Sequence, residues 1–244
     1  TATFTVSTPT IKVTPVTGPV GTSFIINGTN FKVNNPVNVM FNGVSLANIT
    51  TNNNPGSTSN PAGAFANNTL TVPSIVPGTY AILATDGINS ASVTSFTVPA
   101  AAITLSPNAG PAGTTFSVIG TNFKVSTPIA ITFNGTAMPA SATSNSTGGF
   151  NQVETVPSYP IGAYIVNATD GVTYATATFN IGAAISALNA TSGVPGSGLS
   201  VQGLGFTNSG NVLVYFDSTL VKNITASSSG TINTNFVVPN VLAG

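Results

Sequence analysis

The sequence predicts an all-β protein built of tandem two-sheet sandwiches, and three observations carry that prediction. Apolar and polar residues alternate with period two over short runs, and no apolar period of 3.6 residues survives for two turns. Turn-forming pairs such as Asn42-Gly43 and Asp86-Gly87 punctuate those runs about every 8–12 residues. The chain also repeats itself. Gly18-Pro-Val-Gly-Thr-Ser-Phe-Ile-Ile-Asn-Gly-Thr-Asn-Phe-Lys-Val33 returns as Gly110-Pro-Ala-Gly-Thr-Thr-Phe-Ser-Val-Ile-Gly-Thr-Asn-Phe-Lys-Val125, and more loosely between Gly193 and Phe206.

The repeats start near residues 11, 103 and 185, and the Asn/Pro/Gly-rich stretch Thr51–Ala64 is a loop insertion in the first. Each opens on a short apolar strand, Ile11-Lys-Val-Thr, Ile103-Thr-Leu-Ser or Ile185-Ser-Ala-Leu. In the next strand Phe24/Ile26, Phe116/Val118 and Leu199/Val201 share one face with Gly28, Gly120 and Gly203, and Phe31, Phe123 and Phe206 re-enter that face after a turn. A third strand alternates Val37-Val39-Phe41, Ile129-Ile131-Phe133 or Val212-Val214-Phe216. It ends in Asn42-Gly43 or Asn134-Gly135, pairs that accept positive φ and close two-residue hairpins; Asp217 takes the same place in the third repeat. Strands through Tyr80 and Tyr164 follow, then Asp-Gly turns at Asp86 and Asp170, then closing strands ending in Phe96/Val98 and Phe179/Ile181. About seven short strands per repeat define an immunoglobulin-like β-sandwich. The expected organisation is an N-terminal strand at 1–8, repeat 1 at 9–99, repeat 2 at 100–182, and at 183–244 a third repeat lacking its last strands.

Composition excludes much chemistry. The 244 residues hold four lysines and four carboxylates, with no Arg, His, Cys or Trp. The missing His and Cys leave no ordinary zinc, haem or iron–sulfur ligation and no Ser-His-Asp or Cys-His nucleophile. No cofactor and no catalysis are expected. Balanced, sparse charge gives no footprint for nucleic acid, and no apolar run reaches the ~18–20 residues of a membrane span.

The string Pro-x-x-Gly-Pro-x-Gly-Thr-x-Phe, then Gly-Thr-Asn-Phe, then Val-x-Phe-Asn-Gly resembles the immunoglobulin-like, plexin and transcription-factor (IPT/TIG) domain family. The resemblance covers repeats 1 and 2 almost completely and repeat 3 about half as well. It implies a seven-strand sandwich without a disulfide. It leaves function open, because the family spans receptors, DNA-binding factors, starch-acting enzymes and microbial surface arrays. DNA-contacting members use basic loops, which this chain lacks.

Each unusual residue has a structural reading. Asp86, Asp170 and Asp217 read as turn residues. Glu154 aligns with the core positions Leu70 and Phe236, and a bulge placing Val153 inward instead is the expected resolution. The positive signal is eight Asn-x-Ser/Thr sequons, at Asn27, Asn48, Asn67, Asn134, Asn145, Asn167, Asn189 and Asn223. Asn48 and Asn223 share a repeat-equivalent Asn-Ile-Thr, and Asn167 replaces Leu83 on an outward face, so these three are the best-placed acceptors for N-linked glycans.

A secreted glycoprotein of stacked sandwiches follows, expected to be a structural subunit of an extracellular filament, pilus-like thread, sheath or surface layer; the alternative is the stalk or binding module of a cell-surface adhesin. The linkers Val98–Ile103 and Ile181–Ile185 are short, which predicts a stiff array. Few ionisable groups suit a strongly acidic habitat, and the Thr/Ser/Asn-rich surface suits an archaeal source. Gly244 aligns with Gly78 and Gly162, where the other repeats continue for two more strands. Phe4-Thr-Val6 stands before Ile11 as Phe96-Thr-Val98 stands before Ile103. These ends resemble those of donor-strand pili and threads: the assembly strand Thr1, Ala2, Thr3, Phe4, Thr5 and Val6 would complete the open sandwich of the next copy, or the chain would be a window of a longer array.

Overall fold

The computed structural model describes residues 2–53 and 62–240. Repeat 1 comprises β1 (Thr10–Thr14), β2 (Ser23–Thr29), β3 (Pro36–Phe41), β4 (Val44–Thr50), β5 (Phe65–Thr71), β6 (Gly78–Thr85) and β7 (Ser90–Val98). Repeat 2 comprises β8 (Ala102–Ser106), β9 (Ala109–Gly110), β10 (Thr115–Thr121), β11 (Pro128–Phe133), β12 (Thr136–Ala137), β13 (Ala142–Thr143), β14 (Phe150–Thr155), β15 (Gly162–Thr169) and β16 (Tyr174–Ile181). Repeat 3 holds β17 (Ala184–Leu188), β18 (Gly198–Leu204), β19 (Asn211–Phe216), β20 (Thr219–Thr225) and β21 (Ile232–Val237). Among the described residues there is no helix. The chain is all-β, a tandem of immunoglobulin-like sandwiches.

In repeat 1 the sheet β1-β2-β5 faces the sheet β4-β3-β6-β7, and repeat 2 repeats the plan with β8-β10-β14 against a sheet centred on β11, β15 and β16. The first strand changes sheets partway: Thr17 bridges Thr97 in parallel, and β9 pairs with β16 in parallel. Alternation then fills the space between sheets. Phe24, Phe41 and Phe96 are at most 1% exposed and sit 5.3–6.4 Å apart between ring centroids. Phe116, Phe133 and Phe179 repeat that cluster at 4.9–6.2 Å. Each such side chain contributes about 1.5–3 kcal/mol by burial.

Two local choices in the sequence make the packing possible. Gly28 and Gly120 clear room for Phe65 and Phe150, whose rings would lie 2.3 and 2.0 Å from a Cβ at those positions. The hairpin pairs adopt the positive φ that their residues predict, 48° and 80° at Asn42-Gly43 and 49° and 80° at Asn134-Gly135, and Asp217 follows at 52°.

Glu154 corrects the expectation of a bulge. β10 and β14 pair without a register shift from Thr115↔Thr155 to Gly120↔Phe150, so Glu154 lies opposite Phe116. Phe150 must sit on Gly120, and strict alternation from there turns Glu154 inward at 3% exposure and Val153 outward at 57%. The bulge lies in repeat 1 instead, between Ile26 and Gly28.

Candidate functional site

The third repeat differs from the others where its second sheet should close. β3 pairs with β4 on one side and β6 on the other, and β11 pairs with β12 and β15. Among the described residues β19 pairs with β20 alone. Among the described residues no strand pairs with its other edge and no side chain fills the interior beside it. In repeat 1 that space holds Ile82, Ala84 and Phe96, each 0% exposed. In repeat 3 two adjoining clefts of about 330 and 340 Å³ occupy it, lined by Ile185, Leu199, Val201, Val214 and Phe236 among others. Leu199 and Phe216, the counterparts of Phe24 and Phe41, are only half-buried.

The candidate assembly strand is the reverse case, a side-chain pattern with no sheet. Ala2, Thr3, Phe4, Thr5 and Val6 pair with no strand among the described residues, and Phe4 and Val6 are 90% and 79% exposed. Thr1 lies outside the described residues. One hydrogen bond ties this segment to the repeat pattern: Asn30 Nδ2 donates to the Thr8 carbonyl at 2.9 Å, as Asn122 Nδ2 donates to that of Ala100 at 3.1 Å. Phe4 and Val6 thus stand before repeat 1 as Phe96 and Val98 stand before repeat 2, where the latter pair is 0% and 2% exposed.

The acids do more than form turns. Asp86 and Asp170 sit in four-residue loops, between β6 and β7 and between β15 and β16. Asp86 Oδ1 accepts the N–H groups of Ile88 and Asn89, and Oδ2 reaches the Lys32 N–H at 2.9 Å. Asp170 does the same for Val172, Thr173 and Lys124. From the opposite side a buried hydroxyl, Thr51 Oγ1 or Ser144 Oγ, donates to the Lys32 or Lys124 carbonyl. Lys32 and Lys124 are therefore held through their backbone. Burial alone would raise both carboxyls, but the hydrogen bonds outweigh it and hold them below the ordinary aspartate value. Burial wins at Glu154, whose Oε1 has no partner: its carboxyl is pushed up, against one backbone hydrogen bond from Ala140. Among the described residues no three His, Cys, Asp or Glu side chains gather as a metal site would require.

The sequons divide by exposure. Asn48, Asn67, Asn134, Asn145, Asn189 and Asn223 are exposed, whereas Asn27 and Asn167 are half-buried in mid-strand. Asn27 Oδ1 accepts the Asn67 N–H at 2.7 Å, and Asn167 Oδ1 is enclosed without a partner. The long-range clamp on the lysine loops, by contrast, left no trace in the sequence motifs beyond the repetition of Asp and Lys.

The family described as IPT/TIG domain matches residues 183–244, the repeat whose motif diverges most. Among curated proteins no sequence matches the chain. Similar solved structures include a crystal structure with xylogluco-oligosaccharide, at 18% identity and a TM-score of 0.39, covering 98% of this chain and 56% of that one. A tetra-tandem repeat from the extending region of a large adhesion protein gives 15% identity and 0.31, covering 95% and 66%. Invasin, a bacterial integrin-binding protein, gives 12% and 0.32, covering 95% and 48%. The chain thus spans roughly half to two thirds of these longer proteins. No helix among the described residues is long and apolar enough to cross a membrane.

Proposed function

We propose that the protein is a non-catalytic structural subunit of an extracellular filament or related surface assembly, its copies joined head to tail by β-strand complementation. Ala2–Val6 of one copy takes, in the third repeat of the next, the place that β7 holds in the second sheet of repeat 1, and Phe4 and Val6 enter the cleft. The observation that carries this reading is the match between a void and a segment. The cleft lacks the residues that Phe96 supplies in repeat 1, and Phe4 stands in the Phe96 register with 90% of its surface exposed. Strand addition to the second sheet pairs backbone groups and buries the apolar pair together, which is why such contacts are strong. The contact is heterologous, so it propagates in a line rather than closing as a dimer.

Sedimentation velocity and electron microscopy of the purified chain test this. Linear multimers are expected, and Phe4→Asp with Val6→Asp should weaken association at least about a hundredfold, the loss of roughly 3–6 kcal/mol of apolar burial. A monomer at all concentrations would overturn the reading in favour of the alternative, an adhesin stalk or binding module that needs no contact between copies.

A further inference from the structure

Repeats 1 and 2 meet through a loop and a seat. The loop is Gly18–Gly21: the Val20 carbonyl accepts the Val125 N–H at 3.0 Å, and Val20 is 3% exposed. A Cβ on Gly21 would lie 2.8 Å from Val125 Cγ2, and one on Gly148 would lie 3.0 Å from Pro19 Cγ. Val172 packs on the core of repeat 1. The seat is therefore Val125, Val172 and Gly148, on the loop that Asp170 and Ser144 clamp from two sides.

Repeat 1 carries the same seat, built with the same clamp. Val33 follows Lys32 as Val125 follows Lys124, Asp86 and Thr51 hold that loop, and Ile88 takes the place of Val172. Nothing in the described chain covers it. Val33 is 42% exposed and Ile88 77%, and the Val33 N–H, counterpart of the donor to Val20, has no acceptor among the described residues. Repeat 3 shows the complementary case. Thr207 and Asn208 stand where the seat has Lys and Val, and Ala226 replaces the clamping hydroxyl. It keeps the loop, however. Gly196 has φ of 89° against 84° at Gly21, and Val194, in the Pro19 position, is 71% exposed.

We infer that the exposed seat of repeat 1, Val33 and Ile88, receives the Gly193–Gly196 loop of a second copy of this chain. The order of parts commits the occupant. Within the chain the loop belongs to the earlier repeat and the seat to the next, so between copies the loop of repeat 3 meets the seat of repeat 1. The inference rests on the head-to-tail reading and adds to it a rigid second contact that fixes the angle between copies. Pro195 supplies the carbonyl that Val20 supplies inside the chain, and the Val33 N–H donates to it.

The chain has no cysteine, so engineered thiols report the contact directly. Chains carrying Val33→Cys are mixed with chains carrying Val194→Cys and treated with a short bis-maleimide. The pair should crosslink at least about tenfold faster than the pair of Val194→Cys with Val44→Cys, an exposed control, because docking raises the local thiol concentration toward millimolar. Equal rates overturn the inference. Faster coupling of Val33→Cys to Pro111→Cys, the same loop position in repeat 2, overturns the chosen occupant. Sedimentation of the unmodified chain separates the two readings: multimers without preferential crosslinking remove the seat and keep head-to-tail assembly, and a monomer that also fails to crosslink removes both.

Discussion

Asp170 and Glu154 show how differently two carboxylates can be used in a chain with four. Asp170 accepts three backbone N–H groups and the Thr173 hydroxyl, so Asp170→Ala should cost about 2–4 kcal/mol by leaving donors unpaired. Its folded carboxyl titrates below the ordinary 3.8, so this contribution is complete above about pH 3.8 and is lost as the pH falls through the lower folded value. Glu154 has the opposite sign. Its folded carboxyl titrates above the ordinary 4.5, so its contribution is complete below that pH and is lost as the pH rises through the folded value. Thermal unfolding from pH 2 to 8 checks both. The gap between the native chain and Asp170→Ala should narrow in acid, and Glu154→Gln should gain stability over the native chain only toward neutral pH. A pH-independent Glu154→Gln difference would show that the carboxyl is not held neutral. The turn role of the aspartates was legible from Asp-Gly alone. Their hold on Lys32 and Lys124 was not, because the partners lie 54 and 46 residues away and the contact is to backbone, which residue identity does not encode.

At the scale of elements, the strands were legible wherever alternation and turn chemistry agreed. Phe24/Ile26, Val37-Val39-Phe41 and the Asn-Gly hairpins are where the pattern places them. The misplaced strand is β14, and the reason is a competition that pattern alone cannot settle. Keeping a carboxyl out of the core favours a bulge, but Phe150 on Gly120 and the buried Val156 are six residues apart, against seven from Phe65 to Val72 in the bulged pairing of repeat 1, so β14 has no residue to spare and the cost falls on a carboxyl that can bind a proton. Gly120→Ala tests the Phe150 anchor. The added methyl must displace Phe150, so it should destabilise the chain by about 1–3 kcal/mol in denaturant unfolding. Gly182→Ala, where a Cβ meets nothing within 4 Å, should be near neutral. If the two variants unfold alike, the glycine–phenylalanine fit does not set the register of β14.

For the whole molecule the unusual quantity is charge: a surface of 12918 Å² carries the exposed remainder of only eight charged side chains, while Ile88, Tyr174, Val194 and other large apolar groups stand in solvent. Such a surface has little electrostatic repulsion to keep copies apart, and its exposed apolar side chains favour association. Glycans are a way to confine that association to chosen contacts, since each adds bulk and hydration without charge. The exposed sequons are spread over all three repeats, with Asn48 and Asn67 in repeat 1, Asn134 and Asn145 in repeat 2 and Asn189 and Asn223 in repeat 3, while the loop at Gly193–Gly196 and the seat at Val33 and Ile88 contain none. The chain from its own source should therefore carry glycan at the six exposed asparagines before it does at Asn27 and Asn167, whose side chains are half-buried between neighbouring strands. Alignment with Leu83 turns Asn167 outward; in the sheet it lies opposite Thr132 and Thr176, and neighbours on both sides leave it little room. Intact-protein mass spectrometry with site mapping checks this. Glycan on the exposed six is the expected result; a bare polypeptide mass would mean that the uncharged surface is instead covered by protein, with contacts that extend from one loop and one edge to the whole face of each sandwich.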